Sequence, residues 1–433
     1  MHLIPAHQGR PADDPIFALN KEATLRKDRG ESIVNATVGA LLDDDGKLAI
    51  LKAAAKAVHD VPAAEWAAYA PIAGTPDFLR AVIDDLLGGE PTLRDCAVAT
   101  ATPGGSGALR LAIANFLEPG QALLTTSWYW GPYDTLCDES ERKLETFNMF
   151  AAAGAGATGG LDVDAFDAAL GRQLAAQGRA LVFLNDPAHN PTGYSMTDDE
   201  WRSLVVRLTA RASQGAVTLL VDCAYFLFAG ARDAQGGVRD PRAFLAHLRP
   251  LVGKVALLFA WSASKSFTQY GLRVGALVAC IGDARERAMV ESALSYSCRG
   301  TWSNCNRGGL AAVTRMLVDP LTARACAAER AALAGVLRAR VDAFNALARG
   351  RGLRYPRYEG GFFVTVFSDR AAEKAEAMRA RGVYVVPQVP RGSSSGGHVT
   401  GAPLEREAGG GALRIALCSV AERDIARLVD ALT

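Results

Sequence analysis

The chain has 433 residues, which is too long for one small hydrophobic core and favours two domains. Its hydrophobic content of 49% and charged content of 21% are those of an ordinary globular protein. The net charge of +1 gives no general attraction to nucleic acid or to an anionic membrane surface. Neither is expected as a partner, and ligands must be inferred from individual sites.

The eight cysteines are scattered, several of them inside apolar runs, and none forms a C-x-x-C pair. This spacing favours reduced thiols in the core over disulfides or a zinc site, so no metal is expected. No run of eighteen apolar residues occurs, and the N-terminus lacks the apolar segment of a signal peptide. The sequence therefore predicts a cytoplasmic protein.

Residues 1–34 predict an arm with a helix over 14–29, which leads to the first candidate functional loop. That loop, 34–47, reads V-N-A-T-V-G-A-L-L-D-D-D-G-K. Gly39 permits another group to approach the backbone closely, and D-D-G-K predicts a turn before a helix.

A tyrosine precedes the next predicted helix. Residues 66–82 read W-A-A-Y-A-P-I-A-G-T-P-D-F-L-R-A-V and predict a loop that enters a helix at Pro76. Tyr69 lies in this loop. From the residues alone, an interface or core tyrosine with a satisfied hydroxyl is nearly as good an interpretation as a functional one.

A glycine-rich turn gives a second strong signal. Residues 95–117 predict a strand, the turn T-P-G-G-S-G and an amphipathic helix. Free backbone N–H groups and the helix dipole face a ligand in this arrangement, so Gly104, Gly105 and Ser106 are candidates to hold a phosphate. The glycines do not form G-x-G-x-x-G, and no acidic residue ends the following strand, so dinucleotide binding is the weaker alternative.

Three successive predicted strands end in polar residues. These residues are Asn190 in the turn N-P-T-G after strand 180–184, Asp222 and Tyr225 after strand 217–221, and Lys265 after the apolar run 255–260. Ligands at the carboxyl ends of strands are typical of doubly wound sheets.

A lone buried carboxylate is costly, so Asp222 needs a positively charged partner, for which a protonated pyridine nitrogen is suitable.

Lys265 lies among small hydroxyl donors in W-S-A-S-K-S-F-T-Q-Y-G-L-R-V, with Ser262 before it and Arg273 eight residues after it. Hydroxyls and a guanidinium fork suit a phosphate. An amine beside a phosphate pocket is what a pyridoxal phosphate enzyme needs, because a partly desolvated lysine forms a Schiff base with the cofactor aldehyde. A solvated loop lysine is the alternative for this segment alone.

The C-terminal part predicts a second, α+β domain. An Ala/Arg-rich helical stretch from about 320 is followed by strand 361–367, helix 370–381 and a last strand that contains Arg414. Arg414 lies between apolar neighbours, where a charge requires a partner. The Gly/Ser-rich residues 391–411 predict a mobile lid or rim loop.

The S-x-S-K-S-F segment, the N-P-T-G turn and the loop N-x-x-x-G-x-x-x-D-x-x-G-K resemble class I aminotransferases of the aspartate aminotransferase type, fold type I. The resemblance extends along nearly the whole chain. It implies an α/β fold with a mostly parallel, doubly wound sheet in a large pyridoxal phosphate domain, 48–318. An N-terminal arm and a smaller α+β domain are expected from 1–47 and 319–433.

The resemblance also implies how the cofactor is held. The expected cofactor-binding residues are Gly104, Gly105, Ser106, Trp130, Asn190, Asp222, Tyr225, Ser262, Lys265, Arg273 and, from a neighbouring chain, Tyr69. Catalysis is expected from Lys265, Asp222 and Tyr225. An aromatic ring after strand 122–126 would stack on the pyridine, and the distance to the next predicted strand, 144–149, favours Trp130 over Trp128, although both also suit plain packing.

The resemblance also implies which residues contact the substrate. Gly39 is expected over the substrate carboxylate, Asn190 beside the substrate, and Arg414 on its α-carboxylate. Arg299, at the end of predicted helix 283–297, resembles an arginine that dicarboxylate-using relatives donate across a dimer to the distal carboxylate. A solvated arginine at a helix end is the alternative.

The sequence thus predicts a homodimeric pyridoxal phosphate aminotransferase that moves an amino group from an L-amino acid to a 2-oxo acid. The resemblance implies a ping-pong mechanism through a Lys265 aldimine. Arg299 favours aspartate or glutamate as donor, whereas Trp128, Trp130 and Trp302 equally suit an aromatic substrate.

Two alternatives remain. A fold type I lyase, of the C–S lyase or cyclopropane-forming type, needs the same lysine, aspartate and arginine. A cofactor-binding regulator fused to a DNA-binding head is disfavoured by the near-neutral charge and by the lack of a basic winged-helix segment before the domain.

Overall fold

The structure is a computed structural model that describes residues 2–10, 15–152, 159–230, 237–390 and 411–433. Its strands are β1 (Val34–Asn35), β2 (Ala97–Pro103), β3 (Ala122–Thr126), β4 (Lys143–Phe147), β5 (Arg179–Asn185), β6 (Ala216–Asp222), β7 (Ala256–Ser262), β8 (Val274–Cys280), β9 (Phe363–Phe367), β10 (Val383–Tyr384), β11 (Val386–Gln388) and β12 (Ala412–Ala416).

The α-helices of the same residues alternate with these strands along the chain. They are α1 (Pro15–Asp28), α2 (Lys52–His59), α3 (Ala63–Ala67), α4 (Pro76–Leu87), α5 (Pro91–Arg94), α6 (Gly104–Phe116), α7 (Pro132–Asp138), α8 (Val163–Gln177), α9 (Asp198–Arg211), α10 (Leu245–Leu248), α11 (Ala263–Ser266), α12 (Ala284–Thr301), α13 (Arg307–Val318), α14 (Pro320–Gly350), α15 (Ala371–Ala380) and α16 (Ile425–Leu432).

Seven strands form the large sheet, in the order β2-β8-β7-β6-β5-β3-β4. The five strands from β7 to β4 are parallel to one another, whereas β8 runs antiparallel to both of its neighbours. Every residue of β8 is buried, as expected for a central strand that is covered on both faces. The predicted α/β fold with a mostly parallel, doubly wound sheet is confirmed.

The register of the central strands brings their carboxyl ends to one edge of the sheet. Asn185, the last residue of β5, pairs with Asp222, the last residue of β6, and Asp222 pairs with Ala260 of β7. Polar groups that follow these strands therefore emerge side by side. This edge is where doubly wound sheets bind their ligands.

A second, antiparallel sheet has the order β11-β12-β9, and Arg414 of β12 lies between Val386 and Thr365 of its neighbours. The 31-residue helix α14 joins this region to the N-terminal loop through the fully buried Arg340. Arg340 donates to the backbone carbonyls of Leu42, at 2.9 Å, and Cys418, at 2.7 Å.

Some predicted boundaries differ from the structure. The predicted strand 361–367 begins only at Phe363, because Gly361, at φ +84°, still belongs to a turn. The predicted helix 283–297 continues as α12 to Thr301, which places Arg299 in its last turn. The predicted lid, 391–411, lies outside the described residues except for Gly411.

All eight cysteines are buried and free, as the sequence predicts. In the described parts of the chain, no helix combines the length and the apolar character needed to cross a bilayer.

Candidate active site

A cavity of about 190 Å³ opens at the carboxyl ends of β5, β6 and β7. Its walls are Gly105, Ser106, Leu109, Trp130, Asn185, Asn190, Asp222, Ala224, Tyr225, Ser262, Ser264, Lys265 and Arg273. A larger cleft of about 440 Å³ lies between α14 and residues 355–359, but it contains none of the predicted site residues. The cavity at the strand ends is therefore the candidate active site.

One end of the cavity is built to hold an anion. Gly104 and Gly105 begin the 13-residue helix α6, whose N-terminus points its free N–H groups at the cavity. Gly104 has φ +71°, and a Cβ atom there would overlap the guanidinium of Arg273. Arg273 also donates to the hydroxyl of Ser264 at 3.2 Å. Helix dipole, guanidinium and hydroxyls thus converge where a phosphate would fit.

Lys265 lies in the short helix α11 directly after β7, and its amine is 5.2 Å from the centre of the Tyr225 ring. The side chain is partly exposed toward the cavity, but protein atoms surround its amine. Burial lowers the pKa of this amine and the charge of Arg273 acts in the same direction, while Asp222 opposes them. The lowered pKa favours the neutral amine, which is the nucleophilic and basic form.

Asp222 is a buried acid on the cavity wall, and only 6% of its surface is exposed. Its carboxylate accepts hydrogen bonds from the hydroxyl of Tyr133, at 2.9 Å, and from the backbone N–H of Ala224, at 3.1 Å. Burial raises its pKa, while these two donors and the charge of Lys265 lower it. Among the described residues, no ion pair involves Asp222. A cationic ring nitrogen in the cavity would supply the missing charge.

Asn190 and Tyr225 approach each other on the cavity wall. The amide of Asn190 lies 3.3 Å from the Tyr225 hydroxyl. Asn185 connects the two strand ends, because its side chain accepts from the backbone N–H of Asn190 at 2.6 Å and donates to the backbone carbonyl of Asp222 at 2.7 Å. These contacts leave two polar groups facing the same point of the cavity.

The expected substrate side is formed by the N-terminal loop and β12. Arg414 is buried and donates to the backbone carbonyl of Thr37, and its guanidinium carbon lies 4.9 Å from the centre of the Phe363 ring. A side chain at Gly39 would overlap the same ring, so glycine lets this loop pack closely. The hydroxyl of Tyr270 accepts from the N–H of Leu41 at 3.1 Å, which ties the loop to the lysine segment.

Five predicted site residues do not line the cavity within one chain, namely Gly39, Tyr69, Gly104, Arg299 and Arg414. Of these, Tyr69 and Arg299 lie on the surface. The side chain of Tyr69 is 85% exposed. Arg299 lies on the surface at the end of α12, where it donates to the hydroxyl of Ser303 at 2.7 Å. Neither lines the cavity.

Sequence reasoning missed other residues of the wall, namely Leu109, Asn185 and Ala224, and it missed Tyr133 behind Asp222. Tyr133 stands three positions after Trp130, but no periodicity or motif indicates its bond to a strand 89 residues away. Of the two candidate tryptophans, Trp130 lines the cavity, whereas Trp128 packs edge-on against Phe367 at 5.7 Å.

The sheet, the cavity-lining lysine after a strand and the anion-binding helix start define the class of fold type I pyridoxal phosphate enzymes. A family model described as aminotransferase class I and II matches residues 31–432. The chain belongs to this family. It is an aminotransferase whose cofactor is pyridoxal phosphate, and the lyase alternative is not favoured.

Individual relatives agree with this assignment. The chain is 30% identical to the aromatic-amino-acid aminotransferase of Paracoccus denitrificans, over 76% of this chain and 79% of the relative. It is 30% identical to the tyrosine aminotransferase of Rhizobium meliloti, over 87% and 92% of the two chains. An aminotransferase structure from Anaerococcus prevotii superposes with a TM-score of 0.87 at 30% identity, covering 100% of this chain and 98% of the other.

Proposed function

We propose that the cavity at the ends of β5, β6 and β7 moves the α-amino group of an L-amino acid to a 2-oxo acid in two half-reactions. The observation that supports this most is that one cavity of about 190 Å³ holds Lys265, Asp222 and the N-terminus of α6. When bound, pyridoxal phosphate supplies an electron sink for charge at the substrate α-carbon and keeps the amino group between the half-reactions.

In this proposal, the cofactor is positioned from three sides. The N–H groups of Gly105 and Ser106, with Ser262 and Arg273, hold its phosphate. Asp222 holds the proton on its ring nitrogen. Asn190 and Tyr225 donate to its ring oxygen, and Trp130 packs on the ring face.

Lys265 moves the proton in this proposal. Its desolvated amine, in the neutral form, would take the proton from the substrate α-carbon and deliver it to the aldehyde carbon of the cofactor, and the opposite half-reaction would reverse this transfer. The lowered pKa of the amine, caused mainly by burial, supports this role because it favours the neutral form that can accept a proton. Arg414 holds the substrate α-carboxylate with its guanidinium fork, beside the loop that contains Gly39.

We also propose a cytoplasmic homodimer in which Tyr69 and Arg299 of one chain complete the partner's cavity. Tyr69 is 85% exposed, and the large side chains of Trp66 and Tyr296 are exposed on the neighbouring surface elements. Burying them between two copies would remove apolar surface from water. We further propose that residues 48–318 form the large domain, and that residues 1–47 and 319–433 form the N-terminal arm and the small domain. Light scattering that gives the mass of one chain, 45.7 kDa, would overturn the dimer.

The test of the function is a panel of single amino acids added to the holoenzyme without any 2-oxo acid. Good donors are expected to release about one equivalent of 2-oxo acid per site and no ammonia, because the amino group stays on the cofactor. Continuous turnover is expected only after a second 2-oxo acid is added. Ammonia and 2-oxo acid released repeatedly from an amino acid alone would indicate a lyase.

The same panel tests the proposed substrate range. If Arg299 contacts a distal carboxylate, aspartate and glutamate are donors, and Arg299→Ala weakens kcat/KM for them by roughly a hundredfold while leaving aromatic donors nearly unchanged. An equal effect on both classes, or no reaction with dicarboxylic amino acids, would contradict this role.

A further inference from the structure

The hydroxyl of Tyr133 is the only side-chain hydrogen-bond donor to the Asp222 carboxylate that the described residues provide, at 2.9 Å. Tyr133 is the second residue of α7, and 1% of its surface is exposed. It does not line the cavity and lies behind Asp222. We propose that Tyr133 is a positioning residue for amino transfer, because its hydroxyl fixes the Asp222 carboxylate toward the cavity and stabilises its ionised form.

The Tyr133 ring has little freedom to move. Tyr129 stacks on it with a centroid distance of 6.1 Å and an interplanar angle of 6°, and Phe183 of β5 meets it edge-on at 5.3 Å. Trp130, which lines the cavity, packs edge-on at 5.9 Å. A ring held on three sides delivers its hydroxyl to one point, so the bond to Asp222 costs little side-chain entropy when it forms.

The surroundings of Asp222 make this bond important. Besides Lys265, the titratable groups of the described residues that interact with Asp222 are the phenols of Tyr133 and Tyr225 and the thiol of Cys223. Burial raises the pKa of each of these three groups, so they stay neutral. A neutral donor stabilises a buried carboxylate without cancelling its charge. These three groups therefore cancel none of the negative charge that an ionised Asp222 offers to a cation in the cavity.

The inference rests on the proposed role of Asp222 toward the cofactor ring nitrogen. Without the Tyr133 hydroxyl, the Asp222 carboxylate keeps only the backbone N–H of Ala224 as a hydrogen-bond donor among the described residues. The carboxylate then holds its own proton more strongly and attracts the ring nitrogen more weakly.

The experiment compares Tyr133→Phe with Tyr129→Phe. Tyr129 is a matched control because it is a buried tyrosine of the same aromatic cluster whose hydroxyl donates to Asp134, at 2.7 Å, instead of Asp222. Three quantities are measured: the Kd of pyridoxal phosphate for the cofactor-free protein, the pH titration of the bound cofactor's absorbance, and kcat with a good donor. Thermal unfolding of both cofactor-free variants checks the fold.

Tyr133→Phe is expected to raise the Kd of the cofactor and lower kcat, each by roughly tenfold, and to shift the absorbance titration. Tyr129→Phe is expected to leave all three near the parent values. If Tyr133→Phe behaves like Tyr129→Phe, the inference is wrong.

Asp222→Asn, measured beside them, separates two failures. If Asp222→Asn weakens cofactor binding and Tyr133→Phe does not, Tyr133 is only a packing residue and the role of Asp222 stands. If neither variant changes cofactor binding or the absorbance titration, the proposed role of Asp222 fails together with the inference.

Discussion

Lys265→Ala is expected to lower kcat for amino transfer by roughly 10⁴-fold or more, because it removes both the amine that engages the cofactor and the base that moves the substrate proton. Fold and phosphate binding should persist, since the N-terminus of α6 and Arg273 are untouched. The measurement is single-turnover kinetics of donor conversion, followed by cofactor absorbance and by release of 2-oxo acid.

The matched control is Lys254→Ala, in the exposed turn before the same strand, β7. This variant is expected to keep the parent rate. A Lys265→Ala enzyme that retains a tenth or more of the parent kcat would show that another group performs the proton transfer.

Asp222→Asn is expected to lower kcat by roughly a hundredfold to a thousandfold, since it keeps the shape of the side chain and removes the charge. The neutral amide cannot hold the proton on the ring nitrogen, so the electron sink weakens. Stopped-flow absorbance with a good donor measures the loss. An Asp222→Asn enzyme with unchanged kcat would contradict the proposed ion pair.

A second buried acid supplies the control for this substitution. Asp186 accepts from the backbone N–H of Met196, at 2.8 Å, and from the indole of Trp201, at 3.1 Å, and burial raises its pKa to about 7. It does not line the cavity. Asp186→Asn is expected to lower the melting temperature while the folded enzyme keeps its kcat, which separates the loss of a buried acid from the loss of catalysis.

The parts of the site that could be predicted are those that lie at the ends of local patterns. Lys265, Asp222 and Asn190 each follow an apolar run that reads as a buried strand, and adjacent parallel strands bring such residues together. The glycines at 104 and 105 were predictable for a similar reason, because the turn between a strand and a helix exposes N–H groups.

The parts that could not be predicted depend on contacts between distant elements. The hydroxyl of Tyr133 meets Asp222 only because the start of α7 comes close to the end of β6 in the fold, and no short pattern encodes that contact. The roles proposed for Tyr69 and Arg299 require a second chain, because both residues lie on the surface of one chain.

The direction of β8 lies between the predictable and the unpredictable parts of the fold. Eleven residues, 263–273, connect β7 to β8, and they contain only the one-turn helix α11 and a short 3-10 turn. A parallel return to the same edge needs a longer crossover, usually with a full helix. The short connection therefore favours the antiparallel β8 that the structure has, although the apolar run alone did not indicate it.

The central claim is that one amine, that of Lys265, engages the aldehyde of pyridoxal phosphate. Borohydride reduction of the holoenzyme followed by peptide mapping tests this most directly, because reduction makes the attachment permanent. The predicted result is a single pyridoxyl label on Lys265, in the peptide that follows β7. A label on another lysine, or no label on a holoenzyme that is active, would contradict the account.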